Sequence, residues 1–223
     1  MNVEAAVRQR KSVRAFTSQQ VSEVEIRAIL DIARHSPSGG NLQPWKMIVV
    51  SGSALQDVSD LAQKTLAANP RGEASSHPIY PEKVEEPHRS RRYKVGEDMY
   101  AILGIARDDK FGRLAQMAGN FKFFGAPCAI FFVIDKSMGH GQWAHMGMLM
   151  QTICLVAEAR GVATCMQEAW GMARETLARH FELPENEMIY CGMALGYEDK
   201  DAPINTLRTD RAPLDEIAVF QGF

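Results

Sequence analysis

The chain has 223 residues, of which 46% are hydrophobic and 23% are charged, with a formal net charge of −2 and a pI near 6.3. This composition is ordinary for a globular protein, and the length allows one large domain or two small ones. A nearly neutral chain has no overall field that would attract nucleic acid or membranes. Any anion site must therefore come from locally placed Arg and Lys.

The lack of targeting signals and the distribution of cysteines further narrow the class of protein. The first twelve residues lack the apolar segment of a signal peptide, and no apolar run approaches the ~20 residues of a membrane-spanning helix. Four cysteines are scattered in apolar company without a C-x-x-C pair: Cys128, Cys154, Cys165 and Cys191. Buried free thiols fit this pattern better than a disulfide or zinc scaffold. We therefore expect a cytoplasmic protein.

The first part of the chain predicts helices around one short strand. Ser22 and Glu25 form an S-x-x-E capping box ahead of an apolar repeat at helical spacing. The predicted elements are a helix over Val3–Gln9, a helix from Ser22 that stops near Pro37, a strand over Lys46–Val50 and a helix from Ser53 to about Ala68.

Residues 69–98 have a different character. They contain four prolines and many charges but little apolar periodicity, which is typical of a lid, a binding loop or disorder. We expect a helix to resume around Met99–Arg107.

The second part alternates strands and helices. A near-continuous apolar run, Ala129–Ile134, predicts a strand that is buried on both faces. The other predicted elements are a helix over Trp143–Arg160 that ends before Gly161, a strand over Val162–Cys165, a helix over Arg174–Phe181 and a strand over Met188–Leu195. The apolar end of the tail is expected to pack on something, such as a second subunit. No repeat or linker is visible, so we predict a single domain over residues 1–223 with mixed α and β structure.

Two basic clusters are candidates for an anion site. RQRKSVRAF places Arg10, Lys11 and Arg14 around Ser12, and LRTDRAP contributes Arg208 and Arg211. Guanidinium groups suit phosphate, and a Ser hydroxyl can complete the shell. The alternative is a solvated charged face.

Other motifs are weaker. Gly139, Gly141 and Ala144 spell G-x-G-x-x-A, but three residues separate this motif from the preceding strand, where a dinucleotide site needs an immediate turn. His140 and His145 lie five residues apart, which does not suit a shared metal. No motif of a catalytic nucleophile is present.

The segment SPSGGNLQPW joins the second predicted helix to the first strand. Gly39 and Gly40 permit positive φ and close approach of a ligand to the backbone. Polar side chains and Trp45 surround them. The segment is either a simple turn or one wall of a binding site.

Taken together, these segments resemble the FMN-dependent nitroreductase family. The resemblance runs through the whole chain in order, in RQRKSVRAF, ILDIARHSPSGGNLQPWKMIVVSG, NFKFFGAPCAIFFVID, GQWAHMGMLMQTICLVAEARGVATCMQEAW and MALGYEDKDAPINTLRTDRAPLDE. The GYEDKDAPIN segment and the Pro-rich middle are similar to the nitrobenzoate-reductase-like subgroup. The resemblance implies an α+β fold, with a mixed or antiparallel sheet flanked by helices. It also implies an intertwined homodimer with a swapped C-terminal tail and an FMN site at the interface.

The resemblance also assigns roles to residues of this chain. The phosphate and ribityl chain would be held by Arg10, Lys11, Ser12, Arg14, Arg208 and Arg211. The other subunit would contribute Pro37, Ser38, Gly39, Asn41 and Gln43. The flavin ring would be met by Asn120, Lys122, Gln167, Glu168 and Ala169, and by no catalytic side chain. In 69–98, an acidic aromatic could be met by Tyr80, Arg89, Arg91, Arg92 and Tyr93, unless this stretch is only a solvated loop.

The activity implied is NAD(P)H-dependent reduction of nitroaromatic or quinone-like acceptors. NADH or NADPH would deliver hydride to flavin N5, and the acceptor would then enter the same pocket in a ping-pong scheme. A cation such as Lys122 would stabilise the negative charge of reduced flavin. Reductive dehalogenation and flavin fragmentation, as in sister branches of the family, are the alternatives. A non-catalytic flavin-binding module and a nicotinamide-only dehydrogenase are further ones.

Overall fold

The structure is a computed structural model that describes residues 1–73, 77–78 and 80–223. Its helices are α1 (Val3–Gln9), α2 (Glu23–Ala33), α3 (Gly52–Ala68), α4 (His88–Ile102), α5 (Lys110–Ala118), α6 (His140–Ala159), α7 (Arg174–His180) and α8 (Leu214–Ile217). Its strands are β1 (Lys46–Ser51), β2 (Cys128–Asp135), β3 (Ala163–Gln167) and β4 (Glu187–Gly196). Short 3₁₀ turns cover Gly39–Asn41, Gly119–Gly125, Glu168–Ala173 and Pro203–Thr206.

The four strands form one sheet in the order β1-β2-β4-β3, and every neighbouring pair is antiparallel. Successive residues of a strand point to opposite faces, and both faces of this sheet are covered. Side chains of α2 and α6 pack on one face, and those of α3 and α7 pack on the other. The predicted α+β fold is confirmed, as is the prediction that β2 is buried on both faces. Within the described ranges, no helix is both long and apolar enough to cross a membrane.

A β-bulge interrupts β4 at Tyr190. Phe132 pairs with Cys191 while the next residue of β2, Val133, pairs with Ile189, so Tyr190 is the extra residue. Because of the bulge, Tyr190 and Cys191 both pack toward the core formed with α6. Apolar alternation alone would not have located this shift.

The chain segment after α1 runs along the free edge of β3. Ser12 forms a parallel bridge with Thr164, and the Val13 N–H donates to the Thr164 carbonyl at 3.0 Å. Further along, the Thr17 N–H donates to the carbonyl of Tyr197 at 2.9 Å. The first basic cluster is therefore fixed against the sheet by backbone hydrogen bonds.

Only one half of the predicted capping box of α2 forms. The Ser22 hydroxyl accepts a hydrogen bond from the Glu25 N–H at 3.2 Å, as expected of an N-cap. The Glu25 carboxylate, however, pairs with Arg160 at the end of α6, at 2.5 Å, instead of returning to Ser22. The second half of the box thus joins two helices that pack on the same face of the sheet.

The interpretation of residues 69–98 as one long loop was wrong at its end. Helix α4 begins at His88, directly after Pro87, so the helix expected around Met99–Arg107 starts eleven residues earlier. Glu86 accepts hydrogen bonds from the N–H and hydroxyl of Ser90, which satisfies donors of the first turn. Residues 74–76 and 79 of the predicted lid lie outside the described residues.

The expected packing of the C-terminal tail does not occur within a single chain. The apolar side chains of α8 and of the residues after it lie on the surface, and Phe223 is fully exposed. Exposed apolar side chains also occur on α5, where Phe111 is 85% exposed. These surfaces have no apolar cover in the described chain.

Candidate functional site

The first basic cluster and the C-terminal one meet at a cavity of about 390 Å³ beside the end of α1. The cavity is lined by Val7, Arg8, Arg10, Lys11, Ser12, Arg14, Leu207, Arg208, Thr209 and Arg211. All six residues that were predicted to hold a phosphate are among them. The fold has thus joined two clusters that stand almost 200 positions apart in the sequence. We call this cavity the arginine pocket.

The basic groups of the arginine pocket differ in whether a carboxylate already neutralises them. Arg8 pairs with Glu4, and the Lys11 ammonium lies 2.5 Å from Glu198, so each of these positive charges already has a carboxylate partner. Of the other basic groups that line this pocket, Arg10, Arg14, Arg208 and Arg211 have no carboxylate within salt-bridge distance among the described residues. Such a concentration of unpaired positive charge is unfavourable unless an anion binds it.

A buried asparagine holds the two walls of the arginine pocket together. Asn205 is 2% exposed, and its Oδ1 accepts from the Arg14 N–H at 2.8 Å. Its Nδ2 donates to the carbonyls of Ala15 and Asp199, each at 2.8 Å. Its own carbonyl accepts from the Lys11 ammonium. Sequence reasoning missed Asn205, because only its position in the fold shows that it joins these segments.

Helix α6 packs against α1, and one of its carboxyl groups lies near the basic residues of the pocket. Glu158 of α6 lies within electrostatic range of Arg10, Lys11 and Arg208, and its pKa is raised chiefly by burial and secondly by Glu198. A carboxyl with a raised pKa carries its negative charge less readily near the anion site. Glu158 therefore ionises at a higher pH than an ordinary Glu does.

The glycine-rich segment lies at the other end of α6. Residues Pro37, Ser38, Gly39, Asn41 and Gln43 belong to an exposed turn in which Gly40 has a φ of +60°. The Ser38 hydroxyl closes the turn by accepting from the Gln43 N–H at 2.9 Å. The segment is thus an ordered turn as well as a candidate wall of a site.

Two side chains of α6 fix this turn. The Gly39 N–H donates to Nδ1 of His145 at 3.3 Å, and the Gln142 side chain reaches the Gly39 carbonyl at 3.5 Å. A Cβ at position 39 would lie 3.0 Å from the His145 ring, closer than ordinary van der Waals contact, so the ring would have to shift. Within the described chain, no group of three or more His, Cys, Asp or Glu residues is placed to hold a metal ion. That His140 and His145 share no metal stays a prediction.

The turn after β3 brings together most of the remaining predicted residues. Gln167 is buried, and its amide donates to the carbonyl and the side chain of Asn120 at 2.9 and 3.3 Å. The Trp170 indole N–H donates to the Gln167 side chain, and its ring stacks on that of Phe123 with centroids 4.4 Å apart. Gln167, Glu168 and Ala169 are therefore held between the sheet edge and the turn that contains Asn120.

Glu168 is the ionisable group of this turn. It is exposed by accessible area, yet enough protein surrounds it that burial raises the pKa of its carboxyl. Because the side chain is exposed, screening by solvent reduces this rise in pKa. Lys122 behaves differently from Asn120, since it is exposed and lines a separate shallow groove with Gln56 and Asp60 of α3. The structure does not bring Lys122 together with the arginine pocket or with Gln167.

The cysteines are not nucleophiles. All four are free and buried, as predicted. Burial raises the pKa of the Cys128 and Cys165 thiols to about 11, so they stay protonated at neutral pH. The G-x-G-x-x-A sequence likewise forms no tight turn at the end of a strand. Gly139 is instead the N-cap of α6, four residues after the end of β2.

The family of the chain follows from comparison with known proteins. The profile of the Nitroreductase family matches residues 7–197, which include the first basic cluster, the glycine-rich turn and the turn after β3. The chain belongs to the nitroreductase family. The predicted resemblance is confirmed.

Similar nitroreductases align over nearly the whole chain. A 4-nitrobenzoate reductase from Pseudomonas putida is 35% identical, with 99% of this chain and 96% of the relative covered. Among solved structures, the FMN and NADPH-dependent nitroreductase NfnB from Sphigopyxis sp. strain HMH is 41% identical, with a TM-score of 0.97 and complete coverage of both chains. The FMN-dependent nitroreductase NfnB from Mycobacterium smegmatis, solved with NADPH, is 30% identical, with a TM-score of 0.92 and coverage of 98% and 97%.

Proposed function

We propose that this nitroreductase-family protein is an FMN-dependent NAD(P)H oxidoreductase that reduces nitroaromatic or quinone-like acceptors. The observation that supports the proposal most directly is the arginine pocket, where four guanidinium groups without carboxylate partners surround a cavity. All three relatives described above are named as nitro-group reductases, which favours this activity over dehalogenation or flavin fragmentation.

The residues of the arginine pocket fit the phosphate of FMN. Arg10, Arg14, Arg208 and Arg211 would neutralise its charge, and Ser12 would donate from its hydroxyl. Lys11 would act mainly through its Glu198 and Asn205 contacts, which keep the loop in place. An anionic ligand in the arginine pocket would reduce the repulsion between the guanidinium groups.

The positions of the pocket and the glycine-rich turn support a site made by two chains. His145 contacts the turn, whereas Glu158 lies near Arg10, and thirteen residues of α6 separate them. At the rise of an α-helix this separation is roughly 20 Å. We propose a homodimer in which the turn of one chain, with Pro37, Ser38, Gly39, Asn41 and Gln43, completes the site of its partner.

The turn after β3 would position the flavin ring. Bound FMN supplies the hydride chemistry that no side chain of this protein can perform. Backbone N–H groups at Glu168 and Ala169 would orient the ring edge, and the Gln167–Asn120 hydrogen bonds hold that turn rigid. Glu168, whose pKa is raised, keeps its carboxyl proton to a higher pH than an ordinary Glu does. Lys122 lines another groove, beside α3, and its contact with the flavin ring stays a prediction.

An acidic aromatic is the acceptor class that the basic residues near α4 favour. Arg89 and Arg91 already pair with Glu86 and Glu216, but the Arg92 guanidinium lies over the ring of Tyr80 at 4.2 Å. An aromatic surface next to a cation that has no carboxylate partner among the described residues suits a nitrobenzoate-like anion. The name of the Pseudomonas putida relative agrees with this class.

The proposal is tested by flavin content and turnover together. Purified protein should be yellow, or become so on incubation with FMN, and should oxidise NADPH or NADH only when 4-nitrobenzoate or a quinone is added. Product analysis should identify reduced nitrogen species. A colourless protein that takes up no FMN would refute the proposal. Loss of halide from a halophenol without nitro reduction would replace it by dehalogenation.

Two broader expectations belong to the same proposal. We propose that residues 1–223 form a single domain, supported by the one sheet with core clusters on both of its faces. We also propose a cytoplasmic location, supported by the four free buried thiols.

A further inference from the structure

Helix α4 makes charged contacts with the C-terminal segment. None of its side chains is fully buried, although the second half of the helix is half-buried. The Lys94 ammonium lies 2.6 Å from Asp98 on the same helix and 2.9 Å from Asp210. One turn earlier, Arg91 pairs with Glu216 at 2.8 Å. These pairs join α4 to residues 209–216.

The same segment forms one wall of the arginine pocket. Thr209 and Arg211 line that pocket and also a neighbouring cavity of about 270 Å³ between α4 and the C-terminal segment. The Arg211 guanidinium folds back onto its own backbone, 2.6 Å from the Thr209 hydroxyl and 2.8 Å from the Asp210 carbonyl. The direction of Arg211 is therefore set by the backbone at 209–210, where the Lys94–Asp210 pair attaches.

We propose that Lys94 and Asp210 are positioning residues for Arg211 in the arginine pocket, supported by the Arg91–Glu216 pair. The assignment rests on the proposed flavin function, because FMN phosphate is the anion that Arg211 would bind. The pairs are exposed, so each contributes modestly, and breaking one should weaken FMN retention about threefold. Lys94 lies on a different element from the pocket and would not contact the cofactor.

Asp210→Asn separates positioning from a simple field effect. Removing a negative charge beside an anion site should strengthen phosphate binding if only the field matters. A positioning role predicts weaker phosphate binding, because Lys94 of α4 loses its partner in the C-terminal segment. The double variant Lys94→Gln with Asp210→Asn keeps the net charge of the wild type, and we expect it to bind FMN no better than either single variant.

The measurement is FMN release on serial dilution of flavin-loaded protein, followed by flavin fluorescence. Arg89→Gln is the matched control, because Arg89 lies on the same helix and pairs locally with Glu86. Lys94→Arg should retain FMN like the wild type. If the wild type is loaded with flavin, two results would overturn the positioning role alone. One is a double variant that retains FMN as well as the wild type, and the other is an Asp210→Asn variant that binds FMN more tightly than the wild type. A wild type that binds no FMN would instead overturn the proposed function and this assignment with it.

Discussion

Arg10 and Arg8 stand two positions apart and line the same pocket, but their surroundings differ. Arg8 points along α1 to Glu4 at 3.1 Å and is well solvated. Arg10 has no such partner in the described residues and lies within electrostatic range of the half-buried Glu158 of α6. At the residue scale, the difference between a solvated charged face and an anion site is therefore the placement of the carboxylates.

Replacing both Arg10 and Arg211 by Ala should weaken FMN retention by at least about a hundredfold. Each charge-assisted hydrogen bond contributes ~1.5–3 kcal/mol. Equilibrium dialysis of FMN against the variant gives the Kd directly. Arg8→Ala, which removes a paired guanidinium from the rim of the same pocket, should change the Kd little. Equal losses in both variants would point to bulk charge instead of specific contacts.

Asn205→Ala should lower the free energy of unfolding by about 1–3 kcal/mol, because it leaves half-buried backbone groups of Arg14, Ala15 and Asp199 without their partner. FMN retention should fall with it, since the two walls of the pocket separate. Chemical denaturation and flavin content measure the two effects. Asn186→Ala, an exposed Asn paired with Asp135, is the control and should be nearly neutral. An Asn205→Ala variant as stable as the wild type would contradict the bridging role.

Glu168→Gln should raise the thermal stability of the flavin-free protein at pH 7 but not at pH 4. The folded-state pKa of Glu168 is raised above 4.5 by burial, so its favourable contribution is complete below 4.5 and is lost as pH rises through the folded value. Gln carries no charge and escapes this loss. Unfolding temperatures across pH measure the effect, with the exposed Glu185→Gln as control. A difference that does not change with pH would exclude ionisation as the cause.

At the scale of elements, the turn after β3 depends on a glycine in the neighbouring strand. Gly192 of β4 lies under Trp170, and a Cβ there would meet the indole at 2.5 Å. Trp170 is completely buried and stacks on Phe123. The position of Glu168 and Ala169 is thus coupled to the interior of the sheet.

Gly192→Ala should destabilise the protein by about 1–3 kcal/mol, because Trp170 cannot stay in place. The flavin spectrum should also shift if the turn carries the ring contacts. Gly141→Ala in the first turn of α6 is the matched control, since a Cβ there meets nothing within 4 Å. Denaturant unfolding should show the control as neutral or slightly stabilised. Similar behaviour of the two variants would mean that Trp170 can be accommodated elsewhere.

The elements that could be predicted from the sequence are those with an apolar pattern. β2 was recognised from its near-continuous apolar run, and α6 from apolar residues that repeat at helical spacing. Helix α4 has no such pattern, because it buries no side chain fully and is held by ion pairs such as Lys94–Asp98. α5 was not predicted either, although Asp109 caps it by accepting from the Gly112 N–H.

Across the whole molecule, the candidate site depends on contacts that no local pattern contains. Asn205 reaches Arg14 over 191 positions, and the bulge at Tyr190 arises from strand pairing. The resemblance to the family supplied the membership of the arginine pocket. The resemblance could not show that Lys11 forms an ion pair with Glu198, or that Lys122 lines a groove beside α3. These are properties of the packing of this chain.

The exposed apolar tail also belongs to the scale of the whole molecule. Phe220 and Phe223 contact each other, with ring centroids 6.0 Å apart, but remain largely open to solvent. Exposed apolar surface of this kind marks an interaction site. It agrees with the swapped C-terminal tail that the family resemblance implies.

The separation of the glycine-rich turn from the arginine pocket along α6 has a genetic consequence. If each flavin site takes the pocket from one chain and the turn from the other, two inactive variants can complement each other. A chain with Arg10→Ala and Arg211→Ala, co-expressed with a chain carrying Gly40→Val, would form mixed dimers in which one site is wholly wild type and the other carries both defects. We expect activity to return, up to half that of the wild type per mixed dimer. Two chains that each contained a complete site of their own would recover nothing.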